Sequence, residues 1–489
     1  MWDRLSSRSF RDETVKILLV KPKARLATIR KLNPIIRLEP LELGYVAANV
    51  PEGHNVQILD LRMARTPMRA FKRVLTTYRP DIVGLTGYTH EASKVIELAR
   101  FVRRFGRSGS DVRVVVGGHH ATVLPGDFNL DCFDAIVRGE GGAAFRALVE
   151  AFAAGTQPIG IENVLLPGER YDEAATARMP IYPDLAGLPT PRRDLWEAHH
   201  YRCIWPSEQH PPWQSIFPPV GLVRSSFGCR MNCTFCVVPS LSGRRHLCRP
   251  VEEVVEEIAG INVDHIYFCD DETFLDPKHA RALAHAIRAR GIQKRYFAWA
   301  RSTTVNRWPD LFKLWRSIGL DAVFLGMEAA SDGELEDISK HATVADNEQA
   351  HRALREMGIA VQAGFMVNAR FSLDDFHRLR RYVEAMPPAQ VTFTVYTPSP
   401  GSEDWHHERE HYVCHPYDLH DCMHPLTPTV LPLREFFRQF SLLSSAGGRR
   451  NPLRSPKNRL QVRDIIKVVY ATTSYTRTLR RAYRDFPSR

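Results

Sequence analysis

Short apolar runs of strand length recur along this 489-residue chain in two series, with helix-like stretches filling the intervals. Strands that are apolar from end to end bury both faces, which calls for a parallel sheet covered by helices. In the first series, residues 16–22 (KILLVKP), 55–61 (NVQILDL), 81–86 (DIVGLT), 112–117 (VRVVVG) and 135–139 (AIVRG) read as strands, the last of them ending the sheet. Residues 40–50, 90–105 and 143–154 read as helices. This predicts an α/β domain over 1–155, a doubly wound, Rossmann-like parallel sheet. In the second series, 220–225, 265–269, 296–300, 322–327, 360–367 and 390–396 read as six strands. Six βα units fit a partial (β/α)6, TIM-like barrel over 216–400, whose functional side chains belong at the C-terminal strand ends.

Between the two series, nine prolines in 180–219 and a loss of periodicity predict an extended linker over 156–215. Its Trp196, Trp205 and Trp213 are expected to pack on something. Residues 401–489 read as a mostly helical extension, with helices near 433–443 and 464–472.

Composition excludes several classes. No apolar run approaches the ~18 residues of a transmembrane helix. The N-terminus has no secretory pattern, and nine cysteines without one favour metal or catalytic use over disulfides, in the cytoplasm. The formal net charge is +11, and in 449–489 twelve Lys or Arg stand against two Asp, a net of +10. The basicity therefore belongs to a tail. No recognition motif accompanies it, so nucleic acid is not an expected partner. Its apolar residues allow two readings: a helix packed on its own barrel, or peripheral contact with an anionic inner-membrane surface.

The chemistry concentrates after the first strand of the second series. There Ser226-Phe227-Gly228-Cys229-Arg230-Met231-Asn232-Cys233-Thr234-Phe235-Cys236 spells C-x3-C-x2-C. A loop this tight can wrap three thiolates around one face of a cubane cluster. Four irons need four ligands, so three cysteines leave one iron open to chelate an amine and a carboxylate. Structural zinc wants four ligands, and only one C-x2-C pair is present, with Cys248 as a candidate fourth. On spacing alone, a zinc-stabilised, non-enzymatic binding module stays open.

This segment resembles the signature of the radical S-adenosylmethionine (SAM) superfamily, C-x3-C-x-aromatic-C, with Phe235 in the aromatic slot. The resemblance implies a 4Fe-4S cluster on Cys229, Cys233 and Cys236, and SAM at the open iron. It extends to later strand ends. Cys269-Asp270-Asp271-Glu272 follows the second, where the family places polar groups for the methionine amine. Arg301 follows the third and is placed in the same pocket. Gly326-Met327-Glu328 follows the fourth, with Glu328 near the ribose. The turn Thr397-Pro398-Ser399-Pro400-Gly401-Ser402 follows the sixth and puts Pro398 beside the adenine. Without the resemblance, Asp270, Asp271 and Glu328 read equally well as helix N-caps.

In the first series, Gly117-Gly118-His119-His120-Ala121-Thr122 and Arg138-Gly139-Glu140-Gly141-Gly142 resemble the G-G-x-H-x-T and R-G-E-G-E segments of cobalamin-binding domains fused to radical enzymes. Glycines at strand ends let a backbone approach a large flat ligand. The resemblance implies cobalamin contacts at Gly117, Gly118, His120, Thr122, Gly139 and Glu140. The D-x-H-x-x-G loop that supplies a cobalt ligand elsewhere is missing, since Asp60-Leu61-Arg62 follows the second strand. No lower axial ligand is therefore named.

Taken together, the resemblance implies a cobalamin-dependent radical SAM methyltransferase. A 5′-deoxyadenosyl radical takes hydrogen from an unactivated carbon, and cobalamin relays the methyl group. An external one-electron reductant of flavodoxin or ferredoxin type is implied. The substrate is expected to be a small apolar or lipid-like natural product, and residues 429–437 (TVLPLREFF) resemble hopanoid methylases. Ring closure or oxidation without methyl transfer is the alternative within the same chemistry. The stretch holding His406, His407, His411, Cys414, His415, His420, Cys422 and His424 reads either as a packed cover or as a second metal site.

Overall fold

A computed structural model describes residues 14–487, apart from 106–111, 169–170, 173–179, 181, 183–184, 209, 388, 414–416, 450 and 452–458. The chain forms two compact units. One contains the residues up to Arg25 and Pro40–Glu197; the other contains Leu26–Glu39 and Ala198–Arg489.

The first unit is a six-stranded sheet of β1 (Lys16–Lys21), β2 (Asn55–Asp60), β3 (Ile82–Thr86), β4 (Arg113–Gly117), β5 (Ala135–Val137) and β6 (Val164–Leu165). The strand order is β2-β1-β3-β4-β5-β6. The first five strands pair in parallel, whereas β6 runs antiparallel to β5. The expectation that residues 135–139 end the sheet is corrected here. A two-residue edge strand is too short to carry a readable period. Helices α1 (Leu41–Ala48), α2 (Pro67–Tyr78), α3 (Ala92–Phe105) and α4 (Gly141–Ala153) fill the crossovers. The core joins Ile17, Leu19, Ile82 and Val115 of the sheet to Phe145 and Leu148 of α4. Each such side chain contributes roughly 1.5–3 kcal/mol when removed from water. The chain leaves β1 for β2 on one side and returns to β3 on the other. That reversal opens a crevice at the carboxyl ends of β1 and β3.

In the second unit, β7 (Val220–Val223), β8 (His265–Phe268), β9 (Arg295–Ala300), β10 (Leu320–Glu328), β11 (Ala360–Val367) and β12 (Gln390–Val395) pair in sequence order, each parallel to the next. Helices α5 (Val251–Gly260), α6 (Pro277–Ala289), α7 (Pro309–Ser317), α8 (Val344–Glu356) and α9 (Leu373–Ala385) cover the outside. Among the described residues β7 and β12 do not pair with each other, so this is a partial (β/α) barrel. The proline-rich stretch is more than a linker. Arg202–Cys203 pairs with Ile36–Arg37. Trp205 is fully buried at the amino ends of the strands, its indole Nε1 donating to Asp321 Oδ2 at 2.8 Å. Trp196 fills the space over Gly44 within the first unit. Trp213, by contrast, is 61% exposed, which corrects the expectation that all three tryptophans pack.

The C-terminal extension carries α10 (Leu433–Arg449), which packs on α9 and β12, and α11 (Val462–Leu479). Both are longer than the sequence reading predicted. Among the described residues, no helix is long and apolar enough to cross a membrane.

Candidate active site

The cysteine loop leaves the end of β7 and is held there by two acids from the end of β8. Asp270 accepts hydrogen bonds from Ser225 N (2.7 Å), Ser225 Oγ (2.6 Å) and Ser226 N (2.9 Å). Asp271 accepts from Gly228 N at 2.8 Å. Burial pushes the Asp270 carboxyl up to about 6 against these three hydrogen bonds. Neither acid is a helix N-cap; that position ahead of α6 belongs to Asp276, which accepts from Lys278 N and His279 N. Gly228 turns the chain into the loop at φ +88°, and a Cβ there would lie 2.1 Å from Arg245 O. Only glycine fits.

Cys229, Cys233 and Cys236 share the wall of one cavity of about 450 Å³. Phe235, Asp270, Asp271, Glu272, Arg301 and Glu328 line the same space. Burial raises the thiols of Cys229 and Cys236, the latter to about 12, so iron must displace their protons on binding. Arg301 Nη1 donates to Cys233 Sγ at 3.5 Å. Among the described residues, no group of three or more His, Cys, Asp or Glu closes around a single metal ion. Three thiols lining one cavity supply three of the four ligands that a 4Fe-4S cluster takes. Cys248 is absent from this wall; its Sγ lies 3.7 Å from His246 Nδ1.

Glu272 is the acid with spare capacity. Its Oε1 accepts from Thr304 Oγ1 and from Arg301 N. Its Oε2 is buried with no hydrogen-bond partner among the described residues, although the side chain is only 1% exposed. An unsatisfied buried carboxylate oxygen is costly unless a donor arrives. Glu328 sits in the left-handed region at φ +64° and accepts from Lys340 Nζ at 2.8 Å. It caps no helix; the next N-cap is Ser331. The turn at 397–402 meets the cysteine loop rather than the cavity. Ser240 Oγ donates to Gly401 O, and Asp404 N donates to Thr234 O at 3.0 Å. Pro398 is buried outside the cavity lining.

Sequence reasoning missed Lys340 and the aromatic wall of Tyr267, Trp299 and Phe324. The last three fall within the strands expected from the sequence. Their period-two positions, facing into the barrel, were the available signal. Lys340 gave none, because its partner is set by the tertiary fold.

In the first unit, Gly117 ends β4 and Gly118 follows at φ +93°, where a Cβ would lie 2.4 Å from Thr86 Oγ1. Thr122 ties the two glycine loops together, donating to Gly118 O (2.9 Å) and accepting from Gly139 N (3.0 Å). Glu140 occupies the N-cap position of α4. His120, expected at the ligand, is held by side chains of its own unit. It is 0% exposed, with Nδ1 3.3 Å from Thr89 Oγ1 and Nε2 3.1 Å from Asp127 Oδ2. At the β1/β3 crevice, Lys21 Nζ lies over the Tyr88 ring at 4.6 Å and pairs with Glu42 at 2.6 Å. The rings of His90 and His119 flank Tyr88 at 6.0 and 5.8 Å.

In the His/Cys-rich stretch, Cys414 and His415 lie outside the described residues. His424 is committed to carboxylates, with Asp421 Oδ1 at 2.9 Å and Asp485 Oδ2 at 3.3 Å.

Comparison with known proteins agrees with this geometry. Residues 36–149 match the B12-binding domain family, and residues 223–383 match the radical SAM superfamily. The hopanoid C-3 methylase of Methylococcus capsulatus is 29% identical over 430 residues, covering 86% of this chain and 78% of that protein. An uncharacterised methyltransferase of Pyrococcus horikoshii is 28% identical over 80% of this chain and 83% of its own length. The fold also matches the radical SAM methyltransferase TsrM of Kitasatospora setae, solved with cobalamin and a 4Fe-4S cluster bound. Its TM-score is 0.62 at 17% identity, covering 96% of this chain and 99% of that one. The chain thus carries a B12-binding domain followed by a radical SAM domain.

Proposed function

We propose that this enzyme is a cobalamin-dependent radical SAM methyltransferase acting on an unactivated carbon of an apolar, lipid-like small molecule. The observation that carries the reading is one cavity holding three thiols beside a buried, unsatisfied Glu272 oxygen. These groups fit the cofactors by their chemistry. Cys229, Cys233 and Cys236 would hold three corners of a 4Fe-4S cluster, and Glu272 Oε2 would receive the ammonium of SAM. Bound there, the cluster and SAM supply reductive cleavage to a carbon radical, and the corrin supplies the methyl group.

The chain's own residues do the positioning. Asp270 and Asp271 fix the cysteine loop by its backbone. The Arg301 guanidinium favours negative sulfur at Cys233. The Lys340–Glu328 pair holds an ordered carboxylate at the end of β10, suited to a ribose hydroxyl. Tyr267, Trp299 and Phe324 keep that side of the cavity apolar, excluding water from a reactive intermediate. Gly118, Thr122 and Gly139 would present backbone to the corrin. The aromatic wall and the likeness to a hopanoid methylase support an apolar substrate of that kind. The electron would come from a flavodoxin- or ferredoxin-type donor.

Anaerobic reconstitution with methyl-labelled SAM and an apolar polycyclic lipid tests the reading. Label in the product is expected, with about four irons per chain and a brown chromophore, both lost in Cys233→Ala. Deoxyadenosine without labelled product would replace methyl transfer by ring closure or oxidation. Zinc in place of iron would overturn the reading altogether.

A further inference from the structure

Helix α11 is apolar on two sides. Its inward face carries Asp464, Ala471 and Leu479, all buried. Its outward face carries Val462, Ile465, Ile466, Val469 and Tyr470, between 46% (Ile465) and 68% (Val462) exposed. These five follow the i, i+3, i+4, i+7, i+8 spacing of a single helical stripe. A contiguous apolar stripe on a surface helix marks a surface that something else covers.

The same line of the helix then becomes basic. Arg480 lies about five turns, or about 27 Å, beyond Val462 and therefore on the same face. It opens a cleft between the ends of α10 and α11 lined by Arg434, Arg438, Arg480, Arg481 and Arg484. Among the described residues only Arg438 of these five is ion-paired, to Glu435 at 3.1 Å. Arg480 Nε and Arg484 Nε are turned to hydroxyls, on Ser441 and Tyr483. Arg463 and Arg477 extend the positive charge along the exposed part of the helix.

We propose that α11 and this arginine cleft form a docking surface for an anionic phospholipid bilayer. The apolar stripe would lie among acyl chains at the interface, and the cleft would take headgroup phosphates. Charge selects this occupant. A second copy of the chain would set five arginines against their own kind, whereas an acidic bilayer offers apolar and anionic chemistry side by side. The proposal is independent of the reaction catalysed, since it concerns only where the chain resides.

The test is co-sedimentation of the full chain with vesicles of phosphatidylcholine alone or with one-third phosphatidylglycerol. At least tenfold greater partitioning onto the anionic vesicles is expected. The exposed double variants Ile466→Ser/Tyr470→Ser and Arg434→Gln/Arg481→Gln should each reduce it about tenfold, with unchanged circular dichroism. Equal binding to neutral vesicles, or no effect of either variant, would overturn the proposal. So would release by inorganic phosphate at matched ionic strength, which would assign the cleft to a soluble anion. A dimer in sedimentation velocity that Ile466→Ser/Tyr470→Ser converts to monomer would assign the stripe to a second copy.

Discussion

Two buried side chains in the cavity make separable demands. Glu272 Oε2 has no partner among the described residues, whereas Lys340 and Glu328 pair with each other. In Glu272→Gln the shape remains and the charge is lost. If the ammonium of SAM sits there, its Kd should weaken roughly 10- to 100-fold, the worth of about 1.5–3 kcal/mol for a hydrogen bond to a charged group. Iron content should not change. Equilibrium dialysis with labelled SAM reads the first quantity and a colorimetric iron assay the second; an unaltered Kd would remove Glu272 from the site. Lys340→Met instead strands Glu328, whose side chain is 14% exposed, and should cost on the order of 3 kcal/mol. Adding Glu328→Gln should recover much of that loss, because the uncompensated charge is then gone. Chemical denaturation of the two single variants and the double gives the coupling. The cysteines were legible because their spacing is covalent. Lys340 was not, because eleven residues of helix and turn separate it from a partner that only folding supplies.

Single elements follow the same division. The long apolar strands were readable to within a residue or two, from Lys16–Lys21 to Gln390–Val395, because burial on both faces writes itself into composition. Helix α2 was overlooked although it carries a helical signal: Phe71, Val74, Leu75 and Tyr78 recur at i, i+3, i+4 and i+7, and the first three are buried. Asp270 and Asp271 after β8 cap no helix; besides lining the cavity, they hold the cysteine loop of their own barrel. The His/Cys-rich stretch is likewise an element-level device at its described end. Thr28 Oγ1, His424 and Met423 N converge on Asp421, and His424 also reaches Asp485 near the chain's end. Burial alone would push the His424 imidazole down. Hydrogen bonds and ion pairing with Asp421 and Asp485 outweigh it and hold the ring up to about 9. A folded-state value above the unfolded one near 6.5 means stability that is whole below pH ~6.5 and is lost as pH rises through ~9. The loss should be roughly 3 kcal/mol. Thermal melts across that range should show the decline in the native chain and a flat profile in His424→Gln; parallel profiles would mean that the ring is neutral throughout.

At the scale of the whole molecule, two units each have a core of their own, one around Ile17, Leu19 and Phe145, the other around Phe268, Trp315 and Phe365. The residues proposed for each cofactor fall within one unit: Gly118, Thr122 and Gly139 in the first, the three cysteines and Glu272 in the second. The division was visible in the sequence as a change of texture. The return of Leu26–Glu39 to the second unit was not, since a two-residue ladder at Ile36–Arg37 leaves no periodic trace. Separate cores predict that the two cofactors load independently. Gly118→Ala forces a left-handed φ of +93° on a residue with a Cβ and drives that Cβ to 2.4 Å from Thr86 Oγ1, at a cost of about 1–3 kcal/mol to the first unit. Cobalt content after incubation with cobalamin should fall while iron stays near the wild-type level. Cys233→Ala should do the reverse. A Gly118→Ala protein that loses iron in step with cobalt would mean that the barrel borrows its stability from the sheet. The independence of the two loading steps, and with it the assignment of each cofactor to its own unit, would then fail.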